Sequence, residues 1–284
     1  MHIRTVLLLA LALLTCAPAL AEEEKYSFHE SLKPGDVIAG ELVIDDHENV
    51  TTTQDGKSDV DNSATVKHWK FEETILSAKD GSSVKTRVKI ADGSTDAIKE
   101  TANADEKVTP CPFIQEDVII VRHLDEAVTD DFSGKAGPDD IEDLHDLLNP
   151  DQDFFPEKPV AVGESWDVSD KVAKHASLEK GDTCKVECRL DWVKEIDGRK
   201  LAQITGTSKF VQHLSGRVEQ ASDEQITLLV DVAEGMIIKC DETVKVKYST
   251  PADEAVRETG TSLTTYHVTA KKKTPDAAAP DAKH

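Results

Sequence analysis

Four cysteines, Cys111, Cys184, Cys188 and Cys240, are the residues of this 284-residue chain most able to form covalent or metal bonds. Cys184 and Cys188 fall in a stretch where Cys184, Val186, Cys188, Leu190 and Trp192 alternate with Lys185, Glu187, Arg189 and Asp191, the pattern of a half-buried strand. At roughly 3.3 Å per residue their Cα atoms stand about 13 Å apart, whereas a disulfide needs them within about 7 Å. Each is therefore expected to reach Cys111 or Cys240 rather than the other. Cys240 shares a strand face with Met236, Ile238, Val244 and Val246, and the Cys184/Cys188 strand is the neighbour expected for it. Structural disulfides are the expectation; a zinc site of all four is the alternative, and it lacks the usual CxxC knuckles.

The other reactive residues are less ordered. No HExxH, GxSxG, GxGxxG or P-loop pattern is present. Ser82 with Lys85 and Ser177 with Lys180 have serine–lysine spacing, but the companion motifs of that chemistry are absent. His123-Leu-Asp-Glu126 and His145-Asp146 come nearest to paired catalytic groups, and His29, His47, His68, His175, His213 and His267 show no metal-ligand spacing. The segment from Asp55 to Asp61 offers three carboxylates to calcium, yet it departs from the Asp-x-Asp-x-Asp-Gly order and lacks the terminal Glu. Asn49-Val-Thr51 is a glycosylation sequon, relevant only in a eukaryotic host. No catalytic, cofactor-binding or metal-ligating residue is assigned, and no cofactor is expected.

The elements that would position these residues begin after an export signal. Arg4 precedes an apolar run from Val6 to Leu14, and small residues occupy the −3 and −1 positions of a cut after Ala21. Residues 1–21 are read as a signal peptide, too short in its apolar part to span a bilayer. Leu13-Leu14-Thr15-Cys16 is the competing reading, a lipid anchor at Cys16, which Thr15 disfavours. Export places the chain in the periplasm, outside the cell or in the envelope, where disulfides persist. Cleavage also removes Cys16 and leaves an even set of four.

The net charge of −22 opposes binding to nucleic acid, whose phosphates need a basic surface. It suits a cationic partner or calcium, though most such charge is solvated surface. No later segment has transmembrane length.

Period-2 alternation dominates the remainder of the chain. Strands are expected over 68–76, with Trp69, Phe71 and Ile75 on one face, then over 84–90 after an Asp80-Gly81 turn, and at 118–121. Residues 45–64 and 92–107 read as polar loops. Asp139 to Leu148 reads as a short acidic helix, with Ile141, Leu144 and Leu148 on one face and Asn149-Pro150 as its stop. Further strands are expected at 166–171, 183–196, 200–212, 217–232, 236–249 and 257–270, joined by short turns. The tail 271–284 is Ala/Pro-rich, charged and expected to be disordered.

Phe132-Ser-Gly, the acidic helix, and Phe155-Pro-Glu-Lys-Pro-Val-Ala-Val-Gly-Glu-Ser-Trp166 together carry a resemblance. The chain is similar to uncharacterised secreted all-β proteins of planctomycete-type bacteria, which share a Pro-Val-x-x-Gly-[Asp/Glu]-[Ser/Thr]-Trp motif; Phe155 stands where they usually have Leu. The resemblance implies a bacterial source and an all-β fold, and no activity. In physical terms Pro156 and Pro159 hold an extended crossing, Gly163 permits a turn, and Trp166 anchors the strand after it.

Together these give a mainly β chain: an antiparallel meander or partly open barrel. Its parts are an N-terminal β half (22–130), a helix and linker (131–159) and a C-terminal meander (160–270). Lys33-Pro-Gly-Asp-Val-Ile38 can be laid over Ala161-Val-Gly-Glu-Ser-Trp166, which an internal duplication would explain. The expected function is an exported, non-enzymatic binding or envelope-associated scaffold. A carrier of an apolar ligand in a β cavity is the alternative, and a hydrolase of unrecognised type a further one.

Overall fold

Alternating sequences of this kind build strands, and a computed structural model shows them joined into an antiparallel sheet. It describes residues 23–80, 82–99, 107–110, 117–121, 131–133, 152–175, 178, 180–214, 218–250 and 256–273. The strands are β1 (Lys25–Tyr26), β2 (Val37–Gln54), β3 (Lys57–Lys79), β4 (Ser82–Lys99), β5 (Lys107–Pro110), β6 (Asp117–Val121) and β7 (Asp131–Ser133). The second group is β8 (Val160–Ala161), β9 (Ser165–Asp167), β10 (Thr183–Ile196), β11 (Arg199–Leu214), β12 (Val218–Asp231), β13 (Met236–Ser249) and β14 (Val256–Lys272).

Twelve of them form one open sheet in the order β7-β6-β4-β3-β2-β14-β13-β12-β11-β10-β9, with β5 beside β4, while β1 and β8 form a separate pair. The mainly-β antiparallel expectation holds, as an open sheet and not a closed barrel. The first and last long strands, β2 and β14, pair over their whole lengths and so join the N-terminal strands to the C-terminal ones.

The register sorts residues onto two faces. Leu190, Ile204, Leu228, Cys240, Val268, Leu42 and Trp69 stand in one row across successive strands. Six of the seven are buried to 3% exposure or less, Val268 being the half-buried exception. Phe28, Phe154, Phe155 and Val168 pack on the C-terminal part of this buried face. Leu42, Ile44, Trp69, Phe71, Val88 and Ile120 form a second cluster on the N-terminal part. The opposite face is charged where β10 shows it, with Lys185, Glu187 and Arg189 all exposed.

Gly40 and Gly260 are required by close approach on the buried face. A Cβ on Gly40 would overlap the Phe71 ring and the Thr269 carbonyl, and one on Gly260 would overlap the Tyr248 ring. Each ring comes from the cross-strand partner of its glycine and lies over it.

Several expectations are corrected. Residues 45–64 are not a loop: β2 and β3 continue through them and close on a tight turn at Asp55-Gly56, both with positive φ (50° and 74°). The paired backbone supplies the hydrogen bonds, so the absence of an apolar period does not end the strands. For the same reason β4 runs on to Lys99 within the expected loop at 92–107.

The strand expected at 166–171 stops at Asp167, and a helix, α1 (Ser169–His175), comes next. It is capped by Asp167, whose Oδ1 accepts the Ser169 N–H at 2.8 Å. At the C-terminus β14 extends to Lys272, so the first residues of the expected tail are strand. The acidic helix at 139–148, the signal peptide, Cys111 and the rest of the tail lie outside the described residues.

The cysteines are also placed differently. β13 is flanked by β12 and β14, so Cys240 lies three strands from Cys188, roughly 14 Å along the sheet at about 4.8 Å per strand. That exceeds disulfide reach. Cys184, Cys188 and Cys240 are accordingly not joined to one another, and the expected pairing of Cys184 or Cys188 with Cys240 does not form.

Candidate functional site

The residues singled out as a structural motif come together at one end of the sheet, where the last strand would otherwise be bare. An uncovered edge strand presents unpaired backbone groups to any passing chain. Residues 163–169 act as a strap that satisfies the edge of β10 residue by residue. Gly163 N donates to the Leu190 carbonyl (2.6 Å), and Leu190 N donates to the Glu164 carbonyl (3.1 Å). β9 pairs with 187–189, bringing Trp166 opposite Cys188. Val168 N donates to the Val186 carbonyl (3.2 Å), and Val186 N donates to Ser169 Oγ (2.8 Å).

Gly163 makes the turn at φ +87°, a left-handed conformation that other residues adopt only with strain. Trp166 is half-buried, and its indole N–H donates to the Phe154 carbonyl (2.9 Å), fixing the ring across the strap. Pro156 is buried and Pro159 exposed on the crossing between them.

The turn that opens this strap occurs twice among the described residues. In Ala161-Val-Gly-Glu164, the Glu164 N–H donates to the Ala161 carbonyl (3.1 Å) and the Ala161 N–H to Glu164 Oε2 (2.9 Å). In Lys33-Pro-Gly-Asp36, the Asp36 N–H donates to the Lys33 carbonyl (3.0 Å) and the Lys33 N–H to Asp36 Oδ2 (2.8 Å). Gly35 has φ +92°. Gly35 N donates to the Ile75 carbonyl and Ile75 N to the Asp36 carbonyl, both at 2.8 Å, as Gly163 and Glu164 do with Leu190. Each is a turn with glycine at the third position, closed by an acidic fourth residue, and each launches a strand.

The surroundings of the two acidic residues differ. Asp36 Oδ2 receives the Lys272 ammonium at 2.9 Å, with both side chains mostly covered (18% and 28% exposed). Burial would raise the Asp36 carboxyl, but the bonds from Lys272 and Lys33 outweigh it and hold the group below its ordinary value of 3.8. Glu164 Oε2 has the Lys25 ammonium only at 4.0 Å, with both side chains about half exposed (45% and 57%).

Glu164 instead borders a cleft of about 590 Å³ built entirely from residues 156–171. Pro156, Pro159, Val160, Trp166 and Val168 give it apolar walls. Glu157, Glu164, Asp167 and Asp170 line it with four carboxylates, against the two lysines Lys158 and Lys171. Lys171 is itself paired with Asp153 at 3.6 Å. The bonds that Asp167 accepts from the Ser169 side chain and backbone keep its carboxyl below the ordinary range.

The remaining candidates are dispersed. Asp55 sits in a turn and Asp59 and Asp61 on β3, and among the described residues no group of three His, Cys, Asp or Glu is arranged to hold a metal. Ser82 and Lys85 lie along β4; Ser177, His123 and His145 lie outside the described residues. Among the described residues, four histidines pair with carboxylates: His47 with Asp45 (3.1 Å), His68 with Glu41 (3.7 Å), His213 with Asp182 (3.1 Å) and His267 with Asp241. Sequence spacing missed the last three because those partners come from other strands or from remote sequence.

Burial pushes the Cys184 thiol up to about 11, with Glu224 adding to it, so the thiol is neutral and a poor nucleophile. Burial likewise raises the Glu224 carboxyl, against the opposing bond from Ser208.

No protein-family model matches the chain, and no curated protein matches it. Among solved structures it is similar to lipovitellin, in a structure concerned with lipid–protein interactions, at 8% identity and a TM-score of 0.47. That match covers 87% of this chain and 26% of the lipovitellin chain, so this chain spans about a quarter of its length. Neisserial surface protein A aligns at 7% identity and TM-score 0.17, over 80% of this chain and 95% of its own. DynF from the dynemicin biosynthesis pathway of Micromonospora chersina aligns at 10% identity and TM-score 0.19, over 91% and 89%. Scores this low at such identities carry no weight on function. Among the described residues no helix is long and apolar enough to cross a membrane.

Proposed function

We propose that this chain is an exported, non-enzymatic β protein that serves as a binding scaffold, the strapped end of its sheet being the binding surface. The observation that carries the reading is how the C-terminal part of the buried face is filled. Phe28, Phe154, Phe155 and Val168 occupy it. A single added carbon at Gly206 would stand 2.8 Å from Ile226 Cγ2 and 3.3 Å from Cys188 Sγ. A face packed this closely holds side chains, not a guest. Among the described residues an accessible recess lies at the sheet's end, in the strap.

A panel of ester, glycoside, phosphate and peptide substrates tests the non-enzymatic part; no turnover above background is expected. Turnover abolished by replacing one polar residue would contradict it. The apolar cluster of Leu42, Ile44, Trp69, Phe71, Val88 and Ile120 favours a second reading, a carrier of a lipid-like ligand on the N-terminal part of that face. Lipid extraction separates the two.

A further inference from the structure

The two copies of the turn differ in what lies beside the strand that each launches. At the first copy, β2 comes after the turn and β14 lies beside it, with Lys272 directly opposite Ile38, two residues after Asp36. From that position the Lys272 ammonium closes onto Asp36 at 2.9 Å. At the second copy β9 comes after the turn, with Trp166 two residues after Glu164. β9, however, is the last strand of the sheet, with β10 on one side and no strand on the other among the described residues. The place that β14 takes beside β2 is, beside β9, filled by no strand among the described residues, and Trp166 and Asp167 of β9 line the cleft.

Lys25 stands 4.0 Å from Glu164 Oε2, short of the close contact that Lys272 makes with Asp36, and the chemistry of the walls suits a second ammonium. A lysine side chain brings an apolar stem and a terminal ammonium. Trp166, Pro159 and Val160 offer the stem an apolar surface, and the lining carboxylates outnumber the lysines. The other two tryptophans each have a lysine ammonium over the ring, Lys67 on Trp69 at 5.8 Å and Lys194 on Trp192 at 4.7 Å. Among the described residues Trp166 carries none, and it is the tryptophan that lines the cleft.

We propose that the cleft is a docking site for a partner peptide that lies extended along β9 and places one lysine side chain on Glu164 and Trp166, as β14 places Lys272 on Asp36. This deepens the scaffold reading and rests on it. The mode is strand addition at a sheet edge, with backbone pairing for affinity and a side-chain recess for specificity.

The test uses a probe copied from the molecule's own occupied site. Acetyl-Val-Thr-Ala-Gln-Lys-Gln-amide reproduces the end of β14 with only the lysine equivalent to Lys272 kept charged. It is titrated into the full protein by calorimetry, with the Trp166 indole N–H followed by NMR. Saturable binding that shifts the Trp166 signal is expected, weakened about tenfold when the probe's lysine is glutamine. Glu164→Gln should weaken it by a similar factor, because the amide oxygen can still accept the Ala161 N–H while the charge is gone. Thermal unfolding of the variant checks that the strap is intact, and Asp170→Asn, on an exposed cleft residue, is the second variant should it not be.

No saturable binding, or binding indifferent to both the probe's lysine and the cleft carboxylates, overturns the proposal. Binding of n-butylamine as tight as the peptide overturns it too, since that describes a small-amine site without strand pairing. None of these outcomes bears on turnover, which tests the scaffold reading separately.

Discussion

Single residues decide where this sheet bends, closes and is charged. Gly163 and Gly40 are both fixed as glycine, for different reasons. Gly163 has open space around a would-be Cβ, so Gly163→Ala costs only the left-handed backbone, about 1–2 kcal/mol. Gly40→Ala drives a carbon into the Phe71 ring and the Thr269 carbonyl, which is overpacking against backbone and costs about 3 kcal/mol or more. Chemical denaturation should therefore rank Gly40→Ala well below Gly163→Ala; equal losses would contradict the packing described for β2.

Asp36 gives a pH signature. Its carboxyl is held below the ordinary 3.8, so its contribution is full well above that pH and is lost as pH falls through the folded-state value. Asp36→Asn should cost about 1–2 kcal/mol at neutral pH, and the gap to the parent protein should close in acid. A gap that persists unchanged into strong acid would mean that the Lys272 pair does not hold that end of β14.

At the scale of elements, the strap is what lets a fourteen-residue strand, β10, stand next to the sheet's end. Ser169 serves both the start of α1 and the Val186 amide. Ser169→Ala should cost about 1 kcal/mol and speed hydrogen exchange at Val186 more than at Leu190, whose amide is held by the Glu164 carbonyl. Uniform acceleration along β10 would contradict a residue-by-residue strap.

The alternation of Cys184 to Trp192 and the turn signals Asp197-Gly198 and Glu234-Gly235 made β10 through β14 legible from sequence. The same Asp-Gly signal stands at 55–56, yet the polar, threonine-rich flanks conceal strands whose stability comes from partners far along the chain. Expecting Cys240 beside Cys188 failed for a related reason, since strand order is set by pairing and not by which faces carry like residues. The overlay of Lys33–Ile38 on Ala161–Trp166 was legible, and the structure repeats it bond for bond. What spacing could not reveal is that one copy is closed by Lys272 and the other opens on a cleft, because that depends on which strand lies alongside.

At the scale of the whole molecule, the described residues form a twelve-stranded sheet with a packed face, a charged face and a strapped end. Strands as long as β3, with 23 residues, run about 75 Å at 3.3 Å each, a span suited to presenting a surface. No bond among Cys184, Cys188 and Cys240 holds it together. Cohesion comes from the continuous ladder from β7 to β9 and from the apolar row beneath it.

Binding at the sheet's end and not inside it is tested most directly by native mass spectrometry of the protein freshly purified from its host. The predicted result is the mass of the bare chain, unchanged by organic extraction. A bound species of several hundred daltons that leaves on lipid extraction would contradict it and establish the carrier reading in its place.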